Sequence, residues 1–263
     1  MNYFKINNIA GWFAFLVATT TYILTLEPSV SFWDCGEFIA SALKMQVVHQ
    51  PGAPLFLMIS RFFGIFAMGD VTKVAYFMNL GSAVASGATI LFLFWTITAL
   101  AKKVLVKKDE VISKANMITI IGAGLVGALA YTFSDSFWFS AVESEVYALS
   151  SLATAVVFWA ILKWEAIADE PHADKWLLFI AYIMGLSIGI HLLNLLTIPA
   201  LAFVYYFKKT EKPTTKGILK TFGIGILILA FVQFSIIQYL VSFGAYLDLF
   251  FVNTLGLGFG TIV

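Results

Sequence analysis

Residues 54–68 read Pro-Leu-Phe-Leu-Met-Ile-Ser-Arg-Phe-Phe-Gly-Ile-Phe-Ala-Met, and whether this stretch crosses a bilayer decides the orientation of everything after it. A span takes about 20 mostly apolar residues. Fifteen residues with Arg61 in the middle fall short, so the stretch is expected to lie as a helix on the membrane surface. If it spanned, every later loop would change sides.

The chain around it is built for lipid. Of its 263 residues, 60% are hydrophobic and 12% are charged, and the mean hydropathy is +0.91. Soluble domains carry roughly a quarter charged residues. A soluble core of this size could not hide so much apolar surface, so the bilayer is the solvent. A net charge of +1 implies no nucleic-acid partner. The single cysteine, Cys35, excludes an intramolecular disulfide and a cysteine zinc cluster.

Seven spans are expected: 9–26, 74–100, 117–133, 146–164, 176–190, 192–207 and 217–240. The first is too long for a signal-peptide core, and no small-x-small cleavage site follows it, so it reads as a retained span. The fifth and sixth are short. His191 and Asn194 sit at their junction and Pro199 follows, which favours a re-entry over one long helix. The chain is thus expected to be all-α, one polytopic bundle over 1–263, with a first outer loop at 27–73 and a second at 134–146. Residues 243–263 read as a glycine-rich, apolar outer segment without a closing span, as in a piece of a longer protein.

Charge fixes the orientation. With 54–68 on the surface, Lys5, Lys102, Lys103, Lys107, Lys108, Lys114, Lys163, Lys175, Lys208, Lys209, Lys212, Lys216 and Lys220 fall on one side, thirteen of the 16 basic residues. By the bias of short basic loops that side is cytoplasmic, and the N-terminus with it. The outside keeps Lys44, Arg61 and Lys73. The inner acids, such as Asp109 and Glu165, interleave with lysines as solvated loop charges. The outer acids Glu27, Asp34, Glu37, Asp70, Asp135, Glu143, Glu145 and Asp248 have few basic partners.

The first outer loop carries the densest chemistry, beginning Glu27-Pro-Ser-Val-Ser-Phe-Trp-Asp-Cys-Gly-Glu-Phe. Asp34 and Glu37 are three apart and share one face if the segment after Ser31 is helical. Ser31 is placed as an N-cap, and Phe32, Trp33, Phe38, Ile39, Ala42 and Leu43 would dock on the bilayer. Desolvation there raises a carboxyl pKa, which suits a general base. His49 and Gln50 precede Pro51 and would point into the same space. Arg61 can snorkel to headgroups or clamp a lipid phosphate. In the second loop, Glu143 and Glu145 can bind a sugar or a divalent cation, with one of the pair facing solvent. Phe137, Trp138, Phe139 and Tyr147 read as an interfacial belt. His191 and Asn194 are polar at membrane depth, which fits either a site or a helix-to-helix hydrogen bond. Gly122, Gly124, Gly127, Gly185 and Gly189 have spacing for close helix packing. No phosphate loop, dinucleotide fingerprint or Gly-x-Ser-x-Gly elbow occurs.

Phe32-Trp-Asp-Cys-Gly-Glu-Phe, His49-Gln-Pro-Gly-Ala-Pro-Leu and Val142-Glu-Ser-Glu-Val-Tyr together resemble the GT-C superfamily of integral-membrane glycosyltransferases. They are most similar to a bacterial family related to the eukaryotic O-mannosyltransferase that acts on plexin-type domains. The resemblance implies a GT-C-like membrane module in the bacterial inner membrane, active on the periplasmic side. It implies a polyprenyl-phosphate sugar donor, an exported protein acceptor and inversion at the sugar. Asp34 would be the catalytic base, and Glu37, His49, Gln50, Arg61, Glu143, Glu145, His191 and Asn194 would bind substrate. The resemblance fixes no cofactor, since related enzymes differ in metal dependence; a divalent cation is compatible with the outer acids. A transporter or flippase for a lipid-linked sugar is the alternative, although the polar residues gather at one face and not at the midplane.

Overall fold

The computed structural model describes residues 2–107 and 110–260, and no strand occurs among them. Lys108 and Asp109 of the loop charges, and residues 261–263 of the glycine-rich end, lie outside the described residues. The chain is an all-α membrane protein. Among the described residues four helical stretches are long and apolar enough to cross a membrane: Val71–Leu105, Lys114–Thr132, Val146–Ile167 and Thr215–Leu255. The contacts divide the chain into two units, Met1–Asn194 and Leu195–Val263.

The first unit holds α1 (Tyr3–Leu24), α2 (Cys35–Lys44), α3 (Pro54–Gly64), α4 (Val74–Leu105), α5 (Lys114–Thr132), α6 (Asp135–Ala141), α7 (Val146–Ile167) and α8 (Lys175–Ile188). Asn2 starts α1 by accepting the Phe4 N–H at 3.0 Å. Its 22 residues reach about 33 Å, the length of a span. Asn7, Asn8 and Thr19 to Thr21 leave it less apolar than the four.

Helix α4 is the central post, packed on α1, α5 and α7. Lipid tails are as apolar as leucine, so these helices are held by close packing and not by escape from water. Glycines make the room. A Cβ on Gly124 would meet Phe94 Cε2 at 2.8 Å, and one on Gly127 would meet Ile97 Cδ1 at 2.7 Å. Gly122 and Gly185 differ from expectation: each faces open space, so neither is needed for packing.

Contacts between helix ends place both expected outer loops together. The Tyr22 hydroxyl donates to the Thr132 carbonyl at 3.0 Å, joining the end of α1 to the end of α5. At the other end, Lys102 Nζ lies 5.5 Å from the Phe4 ring, and Lys103 pairs with Glu165. Loops 27–73 and 134–146 therefore share the end of the bundle opposite that lysine cluster.

The stretch 54–68 is helix α3 followed by a 3-10 turn, Ile65–Ala67. Fourteen helical residues cover about 21 Å, too short to cross hydrocarbon. One face of α3 is buried: Phe56 and Leu57 pack with Phe38, Ile39, Ala42, Val74 and Met78. This corrects the docking expected of α2. Phe38, Ile39 and Ala42 pack into protein because α3 folds back over them, while Phe32 and Trp33 stay exposed. The expected break near His191 is present. Helix α8 has 14 residues and gives way to a 3-10 turn, Leu192–Thr197.

The second unit holds α9 (Ile198–Lys209), α10 (Thr215–Ala230), a π-helical stretch Phe231–Tyr239 and α11 (Leu240–Leu255). Helix α9, at 12 residues, is also shorter than a span. It packs on α10 where a Cβ on Gly225 would come within 2.9 Å of Pro199 Cα. Residues 243–255 of the glycine-rich segment are helical, because no glycine needing a positive φ interrupts them until Gly256, at φ 68°.

Candidate functional site

The first loop is pinned from below. Asn79, buried in α4, donates from Nδ2 to the Glu27 carbonyl at 2.9 Å and the Ser29 carbonyl at 3.0 Å. The Glu27 N–H donates to the Val142 carbonyl at 3.2 Å, which ties the first loop to the second. Asn79 was legible as a polar residue inside an apolar run, the signal that such positions carry a role.

Helix α2 starts later than expected. Trp33 has a φ of 60°, so the chain turns sharply there and the helix begins at Cys35 with Asp34 in the N-cap position. Ser31 is therefore not the cap. Asp34 makes no side-chain capping bond either, which leaves its carboxylate free.

That carboxylate faces a histidine. His49 Nε2 lies 3.9 Å from Asp34 Oδ2, and His49 Nδ1 lies 2.8 Å from Glu37 Oε2. The His49 N–H also donates to Glu37 Oε1 at 2.7 Å, so Glu37 grips the residue by ring and backbone together. The expected shared face of Asp34 and Glu37 is thus realised around one imidazole. The three are exposed, and a ligand atom from each lies within 4.8 Å of the others. The Glu37 hydrogen bond raises the His49 pKa above its ordinary value, and the same bond lowers that of Glu37. Glu37 is therefore not the desolvated carboxyl the sequence suggested. Gln50 follows His49, exposed at the turn.

The buried carboxyls are in the second loop. Glu143 is 3% exposed and Glu145 5%, so neither faces solvent, contrary to expectation. The reason is the fold-back of α2: Cys35 covers them, with its Sγ donating to Glu145 Oε1 at 3.9 Å. Glu143 lies beside Ser31 and Cys35. Glu145 also caps α7, accepting the Val146 N–H at 3.2 Å. Burial raises the pKa of both, that of Glu145 to about 7, with the nearby Asp34 charge adding to it. Burial and these acids push the Cys35 thiol up as well, so it is no nucleophile.

A stability prediction follows for Glu145. The folded protein holds this proton more tightly than an unfolded chain, whose carboxyl keeps the ordinary value of 4.5. The contribution to stability is greatest below pH 4.5 and declines as pH rises to about 7. Glu145→Gln removes the charged form. The Tm difference, variant minus wild type, is expected to be more positive at pH 8 than at pH 4. A pH-independent difference would contradict the burial argument.

His191 stands where α8 ends. Its ring lies 5.4 Å from the Tyr147 ring, and Nδ1 accepts the Leu193 N–H at 3.1 Å. Burial lowers its pKa, and the bond accepted at Nδ1 leaves Nε2 as the ring's donor. Two residues earlier, the Gly189 carbonyl accepts from the Leu55 N–H at 2.7 Å and the Phe56 N–H at 3.2 Å, which fixes the start of α3 against the end of α8. Asn194 is buried in the bundle: it accepts from Thr154 at 3.2 Å and donates to Ser187 at 3.0 Å, linking α7 with α8. Arg61 also stands apart. It lines a cavity with Leu43, eight residues beyond Cys35 and so about 12 Å along α2.

A family model described as the protein O-mannosyl-transferase TMEM260 N-terminal domain matches residues 34–214. The protein O-mannosyl-transferase tmem260 of Dictyostelium discoideum is 25% identical over 145 residues, which cover 55% of this chain and 16% of that protein. The protein O-mannosyl-transferase TMEM260 of Mus musculus is 27% identical over 185 residues, 70% of this chain and 23% of that protein. The chain thus aligns with less than a quarter of either relative. No solved structure matches.

Proposed function

The chain belongs to the family of the protein O-mannosyl-transferase TMEM260 N-terminal domain, and from that membership we propose that it is the membrane module of a transferase that moves a hexose, mannose by analogy, from a polyprenyl-phosphate donor to Ser or Thr of an exported protein. The observation that carries this reading is the Asp34–His49–Glu37 cluster on one outer end of the bundle.

Asp34 acts as the base. Its carboxylate takes the proton of the acceptor hydroxyl as that oxygen bonds to the anomeric carbon. The bond from that carbon to the phosphate oxygen breaks, and the polyprenyl phosphate leaves from the opposite face with the electron pair, inverting the centre. His49, whose pKa is raised by its hydrogen bond to Glu37, supplies positive charge near the departing phosphate. Holding donor and acceptor side by side at the membrane surface supplies much of the remaining acceleration. Gln50 and His191 offer hydrogen bonds to sugar or peptide, and Glu143 and Glu145 hold the floor of the site. The active face is extracytoplasmic in this scheme, consistent with the lysine cluster at the opposite end.

The test is a reconstitution. Purified chain in lipid is mixed with a polyprenyl-phosphate hexose and an exported acceptor protein. The expected result is a hexose mass added to Ser or Thr. Translocation of the donor across the bilayer without transfer would replace this reading by a flippase.

A further inference from the structure

Helix α3 carries a second apolar face that nothing in its unit covers. Met58, Phe62, Ile65, Phe66 and Met68 are about half exposed or more, at spacings of three and four residues. In a membrane protein such a face meets acyl chains. Beside it opens a cavity of about 310 Å³, lined by Leu43, Arg61, Gly64, Ile65, Gly69 and Val71 among others. Arg61 supplies the one charge among the lining residues, and it is half-buried. Among the described residues no carboxylate pairs with it. Lys73, close by in sequence, is already taken by Asp70 at 3.1 Å.

A half-buried guanidinium with no acid partner, at the rim of an acyl-facing surface, lacks a counter-anion that the bilayer can provide. Arginine binds phosphate with two parallel N–H donors, and its apolar stem lies along the same surface. We infer that this cavity binds the phosphate headgroup of an anionic phospholipid, with an acyl chain lying over Phe62, Ile65 and Phe66. The lipid braces α3 against α2 and α4 and is not consumed. The inference rests on the membrane setting and not on the transferase reading, and its readout is binding alone.

The full chain, purified in neutral detergent, is mixed with equal amounts of phosphatidylglycerol and phosphatidylcholine and weighed by native mass spectrometry. Wild type is expected to retain phosphatidylglycerol preferentially. Arg61→Gln is expected to lower its occupancy about fivefold, the usual effect of one basic residue at an anionic surface. Val71→Trp keeps the cation but narrows the cavity, and is expected to lower occupancy too, which guards against misfolding of the first variant. Equal retention of the two lipids by wild type, or unchanged retention in both variants, would overturn the inference. So would displacement by a stoichiometric amount of polyprenyl phosphate, which would give the cavity to the donor.

Discussion

Asp34→Asn is expected to cut hexose transfer by about 10²–10⁴-fold, the range for loss of a positioned general base. The amide keeps the shape of the carboxylate but cannot accept the acceptor hydroxyl's proton. The variant should insert and fold as wild type does, because Asp34 is exposed, makes no capping bond and has its ion pair with the likewise exposed His49, at 3.9 Å. The measurement is the rate of mass gain on Ser or Thr, beside an unchanged melting curve. Wild-type transfer by Asp34→Asn would remove Asp34 as the base and turn attention to Glu145, whose pKa of about 7 is suited to accepting a proton near neutral pH. A loss of transfer accompanied by a lowered melting point would show a structural role instead.

Phe94→Ala is expected to destabilise the bundle by about 3 kcal/mol, at the lower end of the range for truncating a buried phenylalanine. Phe94 is fully buried in α4, and its ring closes against two glycines on different helices. Cβ atoms on Gly11 of α1 and Gly124 of α5 would come within 3.1 and 2.8 Å of it. One ring therefore fills space shared by three helices. Removing it takes dispersion contacts from all of them, and acyl chains outside the bundle cannot refill the gap. Denaturant titration in mixed micelles measures the loss. A change under about 1 kcal/mol would mean that the three helices collapse into the vacancy.

Much of the fold was legible because membranes simplify the code. An apolar run near 20 residues has few alternatives to a helix, since unpaired backbone groups in hydrocarbon are too unfavourable. The short length of 54–68 and the break near His191 followed from counting residues. Helix ends were less legible. The start of α2 was misplaced by reading Ser31 as a cap, when the positive φ at Trp33 moves the helix start to Cys35. The end of the last helix was less legible too: Gly244 is tolerated within it, and the helix stops at Gly256, where φ is 68°.

The same division runs through the site. That Asp34 and Glu37 share a face follows from helical spacing, and that His49 belongs with them was suggested by its place in the loop. Sequence alone determined that the chain is helical, that it lives in lipid, and that thirteen of its 16 basic residues fall outside the loops that hold Asp34, Glu37, Glu143 and Glu145, because these depend on local periodicity and on the energy of charge in hydrocarbon. Tertiary structure decided which acids are wet. The fold-back of α2 lays Cys35 over Glu143 and Glu145 and leaves Asp34 and Glu37 exposed beside His49. Burial is set by what a distant segment covers, Glu145 being 110 residues from Cys35, and no local pattern records that.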